Sequence, residues 1–199
     1  MINIKNLTKE RIQEKKQIKI FNNFNLHVSV GDRIGLFGKN GVGKSTLLDI
    51  IIGLNNNFSG IVMTDAKNIA YVHQNTKDTL LPWMTCRENI FQLLKYKRII
   101  DVDKKETLYK KLLQDLAVDF DLGKNPSELS GGQRQMVSFI ASVMQEPEIL
   151  LLDEPFSAID TDRRERMVQV LEKYLPNTTI IICSHRGSEI AHYINRIIV

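Results

Sequence analysis

The sequence predicts an α/β fold: a mostly parallel sheet carrying an antiparallel β subdomain at the N-terminus and a helical insertion. Three observations predict it. Short apolar runs, Ile69 to Val72, Ile149 to Leu152 and Thr179 to Cys183, are separated by long helix-compatible stretches, as in strands of a parallel sheet covered on both faces. Ile2 to Leu7 and Phe24 to Val30 instead alternate apolar and polar residues, the period of half-buried strands. Between Gln74 and Ser130 the chain turns polar and helix-like, with charged connectors such as Asp101 to Glu106.

Taken in order, the first two strands are followed by a turn at Gly31-Asp32 and a third strand, Arg33 to Phe37. A helix is expected over Ser45 to Gly53, then the strand at Ile69, the helical insertion, and a helix opening at Ser130. The apolar stripe of that last helix is Met136, Val137, Ile140, Val143 and Met144. The strand at Ile149 and the strand at Thr179 complete the pattern.

The composition bounds the function. The 199 residues are 43% hydrophobic and 25% charged, which are globular averages that exclude disordered and fibrous classes. A chain of this size buries roughly 70% of its unfolded surface, enough for one sizeable core. No apolar run approaches the roughly 18 residues of a membrane-spanning helix. The start, MINIKNLTKER, carries charge within a few residues and has no signal-peptide core. Cys86 and Cys183 fit no metal or redox spacing, so reduced thiols in a soluble, cytoplasmic chain are expected. The net charge of +4 is mild. Basic residues gather at Lys15, Lys16 and Lys19 and at Lys95, Lys97, Arg98, Lys104 and Lys105, but acids interrupt both groups. Without a series of stacking aromatics these read as solvated surface rather than a nucleic-acid site.

The chemistry begins at Gly38-Lys39-Asn40-Gly41-Val42-Gly43-Lys44-Ser45, a full P-loop between a strand and a helix. Its glycines let backbone N–H groups converge on phosphate oxygens at a helix N-terminus, whose dipole favours anions. Lys44 is placed to reach the β- and γ-phosphates and the Ser45 hydroxyl to ligate Mg²⁺, with Thr46 next in the helix. The pattern marks a nucleotide site, with Mg²⁺ beside the phosphates. Asp153 and Glu154 close the apolar strand at Ile149, at the carboxyl edge where open α/β sheets bind ligands. Asp153 is expected to hold the Mg²⁺. Glu154 is expected to accept a proton from an attacking water.

Leu129-Ser130-Gly131-Gly132-Gln133 resembles the signature motif of ABC-type ATPases, and the other family landmarks fall in order around it. Gln74 resembles the Q-loop glutamine, Ser157-Ala158-Ile159-Asp160 the D-loop, and His185 the switch histidine. The resemblance covers essentially the whole chain. It implies a P-loop NTPase-type sheet in a single nucleotide-binding domain over residues 1–199. Residues 1–74 and about 134–199 form its catalytic core, and about 75–133 form a helical subdomain that carries the signature.

It also implies that Gln74 touches both the metal and the reacting centre and that His185 positions the γ-phosphate. Two subunits pack head-to-tail, so that Ser130, Gly131, Gly132, Gln133 and Asp160 of one complete the ATP site of the other. Read without the resemblance, Ser130 to Gln133 make a plain helix N-cap, and a lone histidine such as His185 is more often structural.

A transporter's motor subunit follows from one nucleotide domain without fused spanning helices, working with transmembrane permease subunits on the cytoplasmic face of the membrane. Leu80-Leu81-Pro82-Trp83-Met84-Thr85 resembles the Q-loop flank of ATPases serving nitrate, sulfonate and taurine importers. Trp83 is then either an anchor on the membrane partner or part of the subdomain core. The rival reading is a soluble ABC ATPase acting on nucleic acid or the ribosome, and a third is a degenerate, non-hydrolysing module. DNA-repair members carry a long coiled coil at the insertion, and ribosome-associated members usually join two nucleotide domains. Neither feature is present, and Lys44, Glu154 and His185 argue for hydrolysis.

The chain departs from the family pattern at several points. The slot for an aromatic residue that stacks on adenine falls near Ile18-Lys19, with Phe21 close by and read as core. Arg186 stands where an acid is usual after the histidine, and Asn195 replaces a common aspartate. The chain stops at about the last core strand, the expectation for a short member without a regulatory C-terminal domain.

Overall fold

The computed structural model describes all residues except 14–15, 77–78, 97–100, 186–192 and 199. Arg186 therefore lies outside the described residues, as do Lys15, Lys97 and Arg98 of the basic groups.

Two sheets form. Strands β1 (Ile2–Gln13), β2 (Lys16–Val28) and β4 (Ser59–Thr64) make an antiparallel sheet in the order β2-β1-β4. Strands β3 (Arg33–Phe37), β5 (Ile69–Val72), β6 (Ile149–Asp153), β7 (Thr179–Ser184) and β8 (Arg196–Ile198) make the second, in the order β5-β6-β7-β3-β8. Every pairing in the second sheet is parallel.

The first two strands run well beyond the alternating segments that announce them. The register between them slips between Ile4 and Leu7 and again before Glu10. Asn6 and Asn23 sit at φ 52° and 51°, a left-handed conformation that asparagine tolerates better than most residues. Asn6 N–H donates to Asn25 Oδ1 at 2.9 Å beside the first slip. The slips are β-bulges, which bend the hairpin. Its distal half is largely polar and exposed, so it lacks the apolar period that marks a core strand.

The apolar runs of the parallel sheet divide between two cores. Leu150, Leu152, Ile180 and Ile182 pack on one face against the insertion helices α2 (Cys86–Tyr96) and α3 (Val102–Asp115), together with α4 (Gly131–Val143) and α5 (Thr161–Tyr174). Ile149, Leu151, Ile181 and Cys183 point to the other face, against helix α1 (Lys44–Ile51) and the inner side of the antiparallel sheet. Burial on both faces is why these strands are apolar at every position.

Helix α2 opens on a capping box: Thr85 N–H donates to Glu88 Oε2 at 2.8 Å, and Glu88 N–H returns to Thr85 Oγ1 at 3.2 Å. Asn89, only 5% exposed, clasps the preceding turn. Its Nδ2 donates to the carbonyls of Leu81, Met84 and Thr85, and its Oδ1 accepts from Leu81 N–H at 2.7 Å. The turn it holds presents Trp83, which is 72% exposed. The tryptophan is thus no part of the subdomain core. Lys105 likewise departs from the surface expected for its basic group. It is 4% exposed and donates to Met144 O at 2.8 Å and Glu146 Oε2 at 2.6 Å, pinning α3 to the turn before β6.

Among the described residues no helix is long and apolar enough to cross a membrane.

Candidate functional site

Parallel register sets the site. Phe37 of β3 lies opposite Ser184 of β7, and Asp153 of β6 lies opposite Cys183. Three adjacent strands therefore end nearly flush, and the residues that follow them, Gly38, Glu154 and His185, emerge at one sheet edge. That edge is where an open α/β sheet receives a ligand.

The P-loop turns from β3 into α1 through Gly43, at φ 118°. A Cβ there would come within 2.4 Å of Ile20 Cγ2, so glycine is needed for both its backbone angle and its bareness. Lys44 folds back over the loop, its Nζ donating to Gly38 O at 2.8 Å and Lys39 O at 3.3 Å. The same ammonium stands 3.9 Å from Glu154 Oε1. A cavity of about 300 Å³ is lined by Asn40, Gly41, Gly43, Lys44, Ser45 and Thr46 of the loop and helix, and by Gln74, Asp153, Glu154 and Arg11. Residues from β1, the P-loop, the segment after β5 and the end of β6 are thus brought to one place.

Glu154 and His185 form a pair. Glu154 Oε2 and His185 Nδ1 are 2.8 Å apart, while Glu154 Oε1 is buried with no hydrogen-bond partner. Its backbone holds φ 48°, a left-handed angle uncommon for a glutamate, tied by Glu154 N–H donating to Cys183 O at 3.0 Å. One oxygen is fixed by the histidine and the other is left for a proton donor. This is the disposition a general base requires.

Asp153 Oδ1 is also buried without a partner. Burial pushes the Asp153 carboxyl above the usual carboxylate range, a hydrogen bond from Ser45 works against it, and the charges of Glu154 and Asp49 add to the rise. Asp49 is a neighbour the motifs did not mark, although its place four residues after Ser45 puts it on the same helix face. It accepts a hydrogen bond from Tyr71 OH at 3.3 Å. Carboxylate, hydroxyl and amide oxygens from Asp153, Ser45 and Gln74 suit a hard cation such as Mg²⁺. Among the described residues no cluster of three or more His, Cys, Asp or Glu side chains could cage a metal alone.

The signature segment stands elsewhere. Ser130 is the N-cap of α4: its Oγ accepts from Gln133 N–H at 3.3 Å and its own N–H donates to Gln133 Oε1 at 2.9 Å. Neither these residues nor Gly131 and Gly132 line the phosphate cavity. Gly132 packs against the segment that ends in Asp160, since a Cβ on it would lie 2.6 Å from Ala158 O. Gly132→Ala is accordingly expected to push the Ser157–Asp160 segment aside, lowering the melting temperature and the turnover together. Gly131→Ala meets open space and serves as the mild control in the same thermal melt. Asp160 caps α5, its Oδ1 accepting from Arg163 N–H at 2.9 Å, and Arg163 pairs in turn with Asp119 at 2.9 Å.

The stretch expected to meet adenine is displaced. Ile18 is 40% exposed and pairs across the hairpin with Arg11, and neither Ile18 nor Lys19 lines a cavity at the P-loop. Phe21 packs on Phe24 with ring centres 5.5 Å apart and belongs to the core under α1. Arg11, Ile20 and Phe21 are hairpin residues that reach the loop. No motif pointed to Arg11 or Ile20, because contacts across a bulged hairpin leave no local signal.

Comparison with known proteins places the chain in a family. The family model described as ABC transporter matches residues 21–157. The chain is 31% identical over its whole length to the aliphatic sulfonates import ATP-binding protein SsuB of Bacillus cereus, covering 80% of that protein. It is 34% identical over 88% of its length to the thiamine import ATP-binding protein ThiQ of Histophilus somni, covering 86% of it. Among solved structures it superposes on the dimeric ABC transporter cassette MJ0796 with a TM-score of 0.87 and 27% identity, covering all of this chain and 93% of that one. The post-hydrolysis dimer of MJ0796 bound to ADP and Pi gives the same values. The chain belongs to the ABC transporter family, as one of its ATP-hydrolysing cassettes.

Proposed function

We propose that this chain is the motor subunit of an ABC importer, binding Mg-ATP between two head-to-tail copies and driving separate permease subunits from the cytoplasmic face of the membrane. The observation that carries the reading is the meeting of Lys44, Ser45, Gln74, Asp153 and Glu154 in one cavity, with His185 on the glutamate. Lys44 and the loop hold the triphosphate. Asp153, Ser45 and Gln74 hold Mg²⁺, which when bound neutralises charge on the phosphate oxygens. Glu154 takes the proton of the attacking water through its unpartnered Oε1. His185 keeps the carboxylate turned toward the cavity and lies beside the γ-phosphate. Ser130 to Gln133 and Asp160, which stand outside their own subunit's cavity, close the site of the partner.

The import direction is supported by the relatives, whose names concern sulfonate and thiamine import. Trp83, held out by the Asn89 clasp, supports a permease-facing surface there. A groove of about 350 Å³ lined in part by Tyr71, Leu80, Leu81 and Ala141 adjoins that turn.

Lys44→Ala tests the phosphate site. Charge-assisted contacts of this kind are worth about 1.5–3 kcal/mol, so Mg-ATP affinity and turnover are both expected to fall tenfold or more in a direct binding titration and a phosphate-release assay. Unchanged values in both overturn the assignment.

A further inference from the structure

A carboxylate stands behind the phosphate cavity without lining it. Asp49 lies in the last turn of α1, one helical turn beyond Ser45 and on the same face. The helix dipole disfavours negative charge at that end, so the stability of α1 does not account for it. Tyr71 OH donates to Asp49 Oδ1 at 3.3 Å, and the His73 ring packs on the Tyr71 ring with centres 3.8 Å apart. The Asp49 backbone is tied as well, its carbonyl accepting from Leu54 N–H at 2.8 Å and Asn55 N–H at 3.2 Å. Tyr71 of β5 is in register with Leu151 of β6, and Asp153 follows on the same face of that strand. Asp49 therefore approaches the Ser45–Asp153 pair from the helix side, and its charge acts on Asp153. Burial, and then the charges of Asp153 and Asp49, push the Tyr71 phenol well above its ordinary value, so it stays a donor.

The side chains that line the phosphate cavity carry balanced charge, Lys44 and Arg11 against Asp153 and Glu154. Asp49 tips the neighbourhood negative. A bare triphosphate is repelled by that excess, whereas one that arrives with a divalent cation brings the charge that offsets it. We propose that Asp49, tethered by Tyr71, is a positioning residue that makes the site selective for metal-loaded over metal-free nucleotide. Because it lines no part of the cavity, it acts through the field at Asp153 and Ser45 rather than as a ligand of the ion.

This inference rests on the reading of Lys44, Ser45 and Asp153 as the nucleotide site, and the test separates the two. Affinities for ATP with excess Mg²⁺ and for ATP with EDTA are measured by calorimetry on the full chain, and their ratio is the selectivity. Asp49→Asn keeps an oxygen for the Tyr71 hydroxyl and removes only the charge. It is expected to tighten metal-free ATP relative to Mg-ATP and to lower the ratio about three- to tenfold. Tyr71→Phe keeps the charge but frees it to turn toward solvent, and it lowers the ratio as well. A merely structural role for Asp49 would weaken both forms in proportion and leave the ratio where it was. An unchanged ratio in Asp49→Asn overturns the proposal, and an unchanged ratio in Tyr71→Phe overturns the tether. Equal affinity of the unaltered chain for both forms overturns the selectivity while the nucleotide reading stands. Failure of the unaltered chain to bind either form overturns the nucleotide reading itself, and this proposal with it.

Discussion

Glu154→Gln is expected to bind Mg-ATP and to hydrolyse it some 10²- to 10⁴-fold more slowly, the range of a general-base contribution. The amide keeps the size of the carboxylate and can still accept from His185 Nδ1 across the 2.8 Å contact. It loses the basicity of the unpartnered oxygen, which is the group available to an attacking water. It also removes a negative charge 3.9 Å from Lys44, so ATP affinity is expected to hold or rise. Binding and chemistry therefore separate in this one variant, whereas Lys44→Ala damages both. Because hydrolysis is what ends the ATP-bound state, Glu154→Gln should accumulate as a dimer on size exclusion with ATP and as a monomer with ADP alone. Turnover near that of the unaltered chain would show that another group activates water. His185→Ala gives an independent reading of the pair: the carboxylate loses its orienting partner, and turnover is expected to fall while ATP still binds.

Much of the parallel sheet was written in the sequence. β3 and β5 begin and end where their apolar runs do, and β6 and β7 extend one residue further. Those strands are covered on both faces, so composition alone marks them. The antiparallel sheet was only half visible. β4 is almost wholly exposed, with Val62 its one half-buried apolar position, and an exposed edge strand needs no apolar period. The distal hairpin extends through pairing and bulges rather than through burial, and side-chain patterning does not record that. β8 is held by pairing to β3, again a long-range fact.

The site divides in the same way. Gly38 to Ser45 and the carboxylates after β6 carry their chemistry in local order, since a strand-loop-helix turn and a strand end are each short segments. Their convergence depends on the strand order β6-β7-β3, which only the fold supplies. Asp49 was within reach of helical spacing from Ser45 and went unmarked. Arg11 was not within reach, because its place beside Gly41 comes from a bulged hairpin bending over the loop. Lys105 shows the opposite error. Its charged neighbours Asp103, Lys104 and Glu106 suggest solvent, yet a carbonyl and a carboxylate from beyond α4 satisfy its ammonium inside the protein.

Ser130→Arg and Lys44→Ala are each expected to be nearly inactive alone and to recover activity when mixed. In a head-to-tail dimer each site joins the P-loop of one copy to the signature of the other. A mixed dimer then holds one site with both defects and one site with neither, because the Lys44→Ala copy lends its sound signature to the sound P-loop of the Ser130→Arg copy. With random pairing half of the dimers are mixed and half of their sites are intact, so about a quarter of the original rate per subunit should return. The structure supplies the motive: Ser130 caps its own helix within a closed Ser130–Gln133 box and lines no part of its own phosphate cavity. Arginine at Ser130 removes a cap worth about 1 kcal/mol and projects bulk and charge from the helix end. Circular dichroism and ATP binding by the monomer distinguish lost folding from lost assembly, and both should survive. The measurement is phosphate release across mixing ratios at high protein concentration, with a maximum near equal amounts. A mixture that performs no better than the sum of its two components would place signature and P-loop in the same subunit's work and overturn the shared site.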